Sequence, residues 1–293
     1  MNKPAQTQHA SNRNTTPIVL TIAGSDSGGG AGIQADIKAI SATGGYACSV
    51  ITALTAQNTL GVTDIFPVSP DFVEAQLDAV FSDLNVKAVK IGMLSDAGVI
   101  EAVARKLRQY RPEHIVLDPV MVATSGDLLL ETKAITTLKA ELLPLATLIT
   151  PNLPEAIALT RSDNHAAPVP SVDSSDKETI IAQLQSLDTE AVLLKGGHWE
   201  TESQSTDYLL TKGDIVTFST QRIQTKNTHG TGCTLSAAIA SYLAQGYTRT
   251  GAVAEAKNYL TLALKFADQL KIGQGHGPVH HFHAFQTQSG DLA

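Results

Sequence analysis

Ile18-Val19-Leu20-Thr21-Ile22-Ala23-Gly24-Ser25-Asp26-Ser27-Gly28-Gly29-Gly30-Ala31-Gly32-Ile33-Gln34-Ala35-Asp36 passes from an apolar, β-branched run through a glycine-rich turn into a stretch of helical periodicity. The run Ile18 to Ala23 is too short for a helix and lacks the polar alternation of a half-exposed strand. It therefore reads as a strand buried on both faces, the kind found in parallel sheets under helices. In such sheets a strand-to-helix turn lies at the carboxyl edge, where ligands bind. The turn has neither the Lys-Ser/Thr ending of a Walker A loop nor the spacing of a dinucleotide fingerprint. It is either a ligand-binding turn of another kind or a tight turn with no ligand.

The same alternation recurs outward from this segment. Strands are expected at Ser49 to Ala56, Val86 to Ile91, His114 to Leu117, Leu148 to Thr150 and Ala191 to Leu194. Helices are expected at Ile33 to Thr43, Asp71 to Ser82, Ala97 to Gln109, Lys133 to Leu142, Pro154 to Thr160 and Lys177 to Leu187. This is an α/β pattern with right-handed crossovers and helices on both faces. Asp207 to Leu210 and Ile215 to Phe218, split by Lys212-Gly213-Asp214, read as an antiparallel hairpin on one sheet edge. Two further helices follow, Thr234 to Ala244, closed by Gly246, and Ala252 to Gln269. With no repeat and no dividing linker, residues 17–286 are expected to form one domain. A disordered extension over 1–16, a polar surface insertion at Arg161 to Asp176 and a flexible tail over 287–293 complete the chain.

Composition excludes several classes of function. The 293 residues are 43% hydrophobic, enough for a large core, and carry a net charge of -7. No basic stripe is present to neutralise a nucleic-acid backbone, so no nucleic acid is expected as partner. No apolar run is long enough to span a bilayer, and residues 1–16 lack the apolar stretch of a signal peptide. Two cysteines, Cys48 and Cys233, make no disulfide framework and fit a reducing cytoplasm.

Five strand ends converge on one rim. Asn227-Thr228-His229-Gly230-Thr231-Gly232-Cys233 precedes an apolar helix, so its backbone N–H groups and the helix dipole make an anion site suited to a transferring phosphoryl group. Cys233 stands where a thiol ionises most easily and could take a proton from a substrate hydroxyl; alternatively it is a small buried residue at a helix start. Asn152 and Glu155, three apart, offer hard oxygens to Mg²⁺ or its waters, or else cap a helix. Asp118 and Lys195 end their strands and suit a metal's water shell and polyphosphate oxygens. Gln57 presents a donor beside an acceptor, matching the edge of an aminopyrimidine, unless it is a plain surface residue. Met93 could pack on a flat ring or fill core. The histidines from His276 to His283 read as a segment docked on the body, or less readily as a metal cluster.

Taken together, Ala23 to Asp36, Cys48 to Asn58, Ile149 to Glu155, Leu194 to His198, Thr225 to Leu235 and Gly277 to His283 resemble the hydroxymethylpyrimidine and phosphomethylpyrimidine kinases of thiamine biosynthesis, in the ribokinase-like superfamily. The resemblance covers Ile18 to Phe285. It implies a three-layer α/β/α sandwich with a mostly parallel sheet. It also implies ATP and Mg²⁺ as cofactors and successive phosphorylation of 4-amino-5-hydroxymethyl-2-methylpyrimidine and its monophosphate. By matching position it assigns Cys233 as base beside an anion hole of Gly230, Thr231 and Gly232. Gln57, Asp36, Gly24, Met93 and Val120 fall on the substrate side. Lys195, Asp118, Asn152 and Thr228 fall on the nucleotide, with Glu155, Asn152 and Asp118, through water, on the metal. The resemblance further implies a homodimer. A branch of the same group phosphorylates pyridoxal, the alternative substrate, although Gln57 favours an aminopyrimidine. A binding or regulatory protein without turnover is a third reading, opposed by the intact Gly230 to Cys233 turn.

Overall fold

The apolar run at Ile18 forms the strand β1 (Ile18–Asp26), and the helix that follows its glycine turn is α1 (Gly32–Ala42). The computed structural model describes residues 16–121, 132–161, 177–198 and 203–286. The expected extension up to residue 15, the insertion from 162 to 176 and the tail 287–293 lie outside the described residues.

Along the chain come β2 (Tyr46–Asn58), β3 (Gly61–Pro67), α2 (Pro70–Asp83), β4 (Val86–Ile91), α3 (Ala97–Tyr110), β5 (His114–Leu117), α4 (Thr132–Glu141) and β6 (Leu148–Ile149). Then follow α5 (Leu153–Thr160), α6 (Lys177–Gln185), β7 (Val192–Leu194), β8 (Gln204–Leu210), β9 (Ile215–Gln221), α7 (Thr231–Ala244) and α8 (Arg249–Lys265). Among the described residues nine strands make one sheet in the order β3-β2-β1-β4-β5-β6-β7-β8-β9. From β2 to β7 every pair is parallel, whereas β3, β8 and β9 run antiparallel at the two edges.

Side chains of a strand alternate between faces, and the two cores divide along that period. Leu20 and Ile22, Ile115 and Leu117, and Val192 and Leu194 pack with α2 to α6. Their neighbours Val19, Val116 and Leu193 pack on the opposite face with α1, α7 and α8. Three layers result. On α3, Val99, Ile100, Val103 and Leu107 are all buried, each contributing about 1.5–3 kcal/mol of transfer free energy.

The expected strands and helices form, several with ends shifted by two or three residues, and three differences matter most. β3 was not anticipated: Ile65 and Phe66 are adjacent rather than alternating and most of the strand is exposed, so neither period shows in the sequence. The second is that α7 starts at Thr231, not Thr234, so Cys233 lies within its first turn. Last, α8 stops at Lys265, and Ala267–Gln269 is a separate 3₁₀ turn.

Candidate active site

Ladder hydrogen bonds run one residue past the central strands. The Asp118 N–H donates to the Ile91 carbonyl at 2.8 Å, that of Thr150 to Leu117 at 2.9 Å and that of Lys195 to Pro151 at 2.9 Å. Asp118, Thr150 and Lys195 are thereby set side by side at the carboxyl rim. Asp118 Oδ1 accepts from Lys195 Nζ at 2.8 Å and from Thr150 Oγ1 at 3.0 Å. Burial alone pushes the Asp118 carboxyl up, but Lys195, then Lys90, overcome it and hold the group below its usual range. Burial pulls Lys195 down, and the attraction of Asp118 and Glu155 reverses this, so the ammonium is retained.

Asn152 and Glu155 close a capping box on α5. The Asn152 side chain accepts from the Glu155 N–H at 2.9 Å, and Glu155 Oε2 accepts from the Asn152 N–H at 2.8 Å. The capping alternative is therefore what these two residues do in the ligand-free chain. Glu155 still lies 3.8 Å from Lys195 Nζ, and burial, with repulsion from Asp118, pushes its carboxyl up to about 7.

At the start of α7, Gly230 has φ 79°, and a Cβ there would lie 1.9 Å from the Gly30 carbonyl oxygen. Only glycine lets the two glycine turns meet at that distance. The Thr231 N–H donates to Thr228 O at 3.3 Å and that of Thr234 to Gly230 O at 2.9 Å. Among the described residues the N–H groups of Gly232 and Cys233 donate to no backbone or side-chain acceptor, the ordinary state of a helix's first turn. Gly232 faces the ion pair: a methyl at this position would touch Lys195 Nζ at 3.3 Å and Asp118 Oδ2 at 3.4 Å.

The half-buried Cys233 thiol lies in the first turn of α7, and the amide of Gly32, the first residue of α1, favours its ionised form, so it meets the starts of two helices. Its expected easy ionisation is nevertheless overturned. Burial, with Asp36 and Asp118 adding their charge, pushes the thiol up to about 11, against the pull of Lys90 and the Gly32 amide. A second correction concerns Asp36, which is 0% exposed and bound to Lys90 Nζ at 2.8 Å and Thr21 Oγ1 at 2.6 Å. It cannot meet a ligand directly in this conformation. Lys90 is equally enclosed; burial lowers its proton affinity, but Asp36, then Cys233 and Asp118, raise it above the ordinary value.

Gln57 ends β2 beside the first glycine turn. Its amide lies 3.1 Å from Thr55 Oγ1 and 3.5 Å from His229 Nε2. Met93 and Gly24 meet across β1, where a Cβ on Gly24 would overlap the Met93 methyl at 2.4 Å. Half-buried Val120 lies two residues after Asp118, its N–H donating to the Asp118 carbonyl at 2.8 Å, and half-buried Thr228 precedes the second glycine turn.

Three residues escaped the sequence reading. Asp26 accepts from the N–H groups of Gly28, Gly30 and Ala31 and from His229 Nε2 at 2.8 Å. Burial opposes its ionisation, but the His229 bond and these amides hold it below the usual range. Asp26 is the lone acid of the glycine turn, and Lys90 the lone charge in the buried end of β4; each carried a signal, whereas His229 carried none beyond its neighbours. The C-terminal histidines dock as expected: the His229 N–H donates to Gly277 O at 3.0 Å, and His281 Nε2 bonds Thr234 Oγ1 at 2.9 Å. Burial pushes His281 down to about 3.

The family description "Phosphomethylpyrimidine kinase" matches residues 26–280. The hydroxymethylpyrimidine/phosphomethylpyrimidine kinase of Salmonella typhimurium is 51% identical over 269 residues, 91% of this chain and 97% of the relative. A solved phosphomethylpyrimidine kinase from Clostridium difficile superposes with TM-score 0.72 at 42% identity, covering 85% of this chain and 99% of that one. The pyridoxal kinase of Bacillus subtilis, solved as an ADP complex, superposes with TM-score 0.82 at 32% identity, covering 92% and 99%.

Proposed function

Since the chain belongs to the phosphomethylpyrimidine kinase family, we infer that it transfers a phosphoryl group from ATP to 4-amino-5-hydroxymethyl-2-methylpyrimidine and then to the monophosphate, in thiamine biosynthesis. One observation carries the reading: the first turn of α7, with the Gly232 and Cys233 amides unused, lies against the Lys195–Asp118 pair at Gly232, a site suited to the charge on a transferring phosphoryl group. The ring is assigned to Gln57, Gly24, Met93 and Val120, and the phosphates to Gly230 to Gly232, Thr228 and Lys195. The decisive assay follows mass with hydroxymethylpyrimidine and ATP, and one and then two added phosphates are expected. Recovery of unchanged pyrimidine alone defeats the reading.

Cys233 is assigned as acceptor of the hydroxymethyl proton. In a loose phosphoryl-transfer transition state that proton leaves late, and the Lys90 ammonium offsets the thiolate charge. Cys233→Ala is expected to lower kcat about 10²–10⁴-fold while pyrimidine still binds. Near-normal kcat removes the assignment.

The donors around Asp118 are hard oxygens, and one carboxylate is ionised, which fits Mg²⁺ held mainly by nucleotide phosphates and water. Asp118 and Glu155 are assigned to its waters, with Asn152 holding Glu155 in place. Bound there, the ion neutralises phosphate charge. Assembly as a homodimer is assigned to the β2–β3 edge, where Leu54, Ile65, Phe66 and, on α2, Phe72 are exposed. Among the described residues no helix is long and apolar enough to cross a membrane. The free cysteines accord with a cytoplasmic location.

Pyridoxal is the second substrate to test. The Bacillus subtilis pyridoxal kinase shares the fold closely, and a higher kcat/KM for pyridoxal reverses the order.

A further inference from the structure

A carboxamide reads a ring only if it is settled which of its ends is oxygen, and the neighbours of Gln57 settle it. Asp26 receives three backbone N–H groups, Gly28 at 2.8 Å, Gly30 at 3.0 Å and Ala31 at 2.8 Å, and as a carboxylate it only accepts. The His229 Nε2 that lies 2.8 Å from Asp26 Oδ2 must therefore carry a hydrogen. That same N–H edge faces the Gln57 amide at 3.5 Å. Its one hydrogen goes to Asp26, so what Gln57 meets at 3.5 Å is the positive edge of that N–H, which repels an NH₂ and attracts an oxygen.

On the other side, Thr55 Oγ1 gives its single hydrogen to the Ser25 carbonyl at 2.7 Å. The Gln57 amide, 3.1 Å away, competes for the same hydrogen only if its oxygen faces Thr55; with the hydrogen on the nearer Ser25 carbonyl, Thr55 offers lone pairs there and favours an NH₂. With Oε1 beside Thr55 and Nε2 beside His229, both contacts are mismatched together. A half-turn of the amide plane lets its NH₂ donate to Thr55 and turns its oxygen to the positive edge of His229. The imidazole cannot swing aside to avoid the choice: a methyl on Gly30 would overlap its Cδ2 at 2.4 Å, and His229 bridges to Pro278.

We propose that Asp26, His229 and Thr55 are positioning residues that lock the Gln57 carboxamide, oxygen toward His229 and NH₂ toward Thr55, and thereby select an amino-bearing ring edge over its oxo counterpart. The proposal rests on the assignment of Gln57 to the ring. In the locked orientation, the remaining lone pair meets an amino donor and the remaining N–H meets the adjacent ring nitrogen. The 4-oxo analogue, with a ring N–H beside a carbonyl, presents the reverse order and is mismatched at both points. A carboxamide free to flip could serve either ring; a locked one discriminates, because the wrong ring leaves polar groups unpaired.

The test compares kcat and KM of the full chain for the 4-amino substrate and its 4-oxo analogue, in the parent, Thr55→Val, His229→Leu and Gln57→Glu, with thermal unfolding of each. Thr55→Val and His229→Leu are expected to lower the amino-over-oxo ratio of kcat/KM by about tenfold or more, chiefly through KM. An unchanged ratio in Thr55→Val and in any folded His229→Leu protein overturns the relay. If His229→Leu does not fold, Thr55→Val decides alone. Gln57→Glu separates the two layers: unchanged KM for both rings refutes the ring assignment and the relay with it. A raised KM there, with the Thr55→Val ratio intact, refutes the relay only.

Discussion

Cys233 shows how far burial can outweigh position. A thiol at two helix starts is expected to ionise readily. Enclosed beside Asp36 and Asp118, it is pushed up to about 11 instead, and Lys90 restores only part of the difference. At neutral pH the free thiol is therefore protonated, and ultraviolet titration of the ligand-free chain should show no thiolate there. If Cys233 is the base, only the minor thiolate form turns over. kcat/KM should then rise with pH from neutral into the alkaline range, in parallel with the thiolate fraction of the free chain. A flat profile would assign the proton elsewhere. Asp36 illustrates the same rule: burial raises its carboxyl above the ordinary value although Lys90, 2.8 Å away, pulls it down, while Asp36 in turn helps Lys90 keep its proton.

Among the elements, α7 matters most to the site. Nearly all of its faces are buried, from Thr234 to Ser241, so it can neither rotate nor slide, and its first turn is held rigidly against the rim. Gly230 joins that turn to the one after β1. Gly230→Ala should strain a backbone at φ 79° and push the Gly30 carbonyl away. The expected result is a loss of about 10²-fold or more in kcat together with about 1–3 kcal/mol of stability, read by kinetics and denaturant unfolding. Full activity would mean that the two turns need not touch. The hairpin of β8 and β9 was legible from its Lys212-Gly213-Asp214 turn, while β3 was not, because an exposed edge strand leaves no burial period.

Over the whole molecule, one sheet face packs α2 to α6 and the other α1, α7 and α8, and among the described residues β3 has no strand partner beyond β2. Phe66 is 70% exposed and Phe72 61% exposed, an apolar surface suited to a second copy. Phe66→Asp should shift a dimer toward monomer in sedimentation, and an unchanged mass would relocate the interface. The sequence by itself determined the strand and helix order, both glycine turns and the candidates Gln57, Asp118, Lys195 and Cys233, because hydrophobic period and glycine placement are local signals. Only the tertiary structure decided that Asp36 is sealed against Lys90, that Asn152 and Glu155 cap each other, that Cys233 stays protonated and that Asp26 grips His229. Those outcomes depend on burial and on partners as many as 203 positions apart, which no local pattern records.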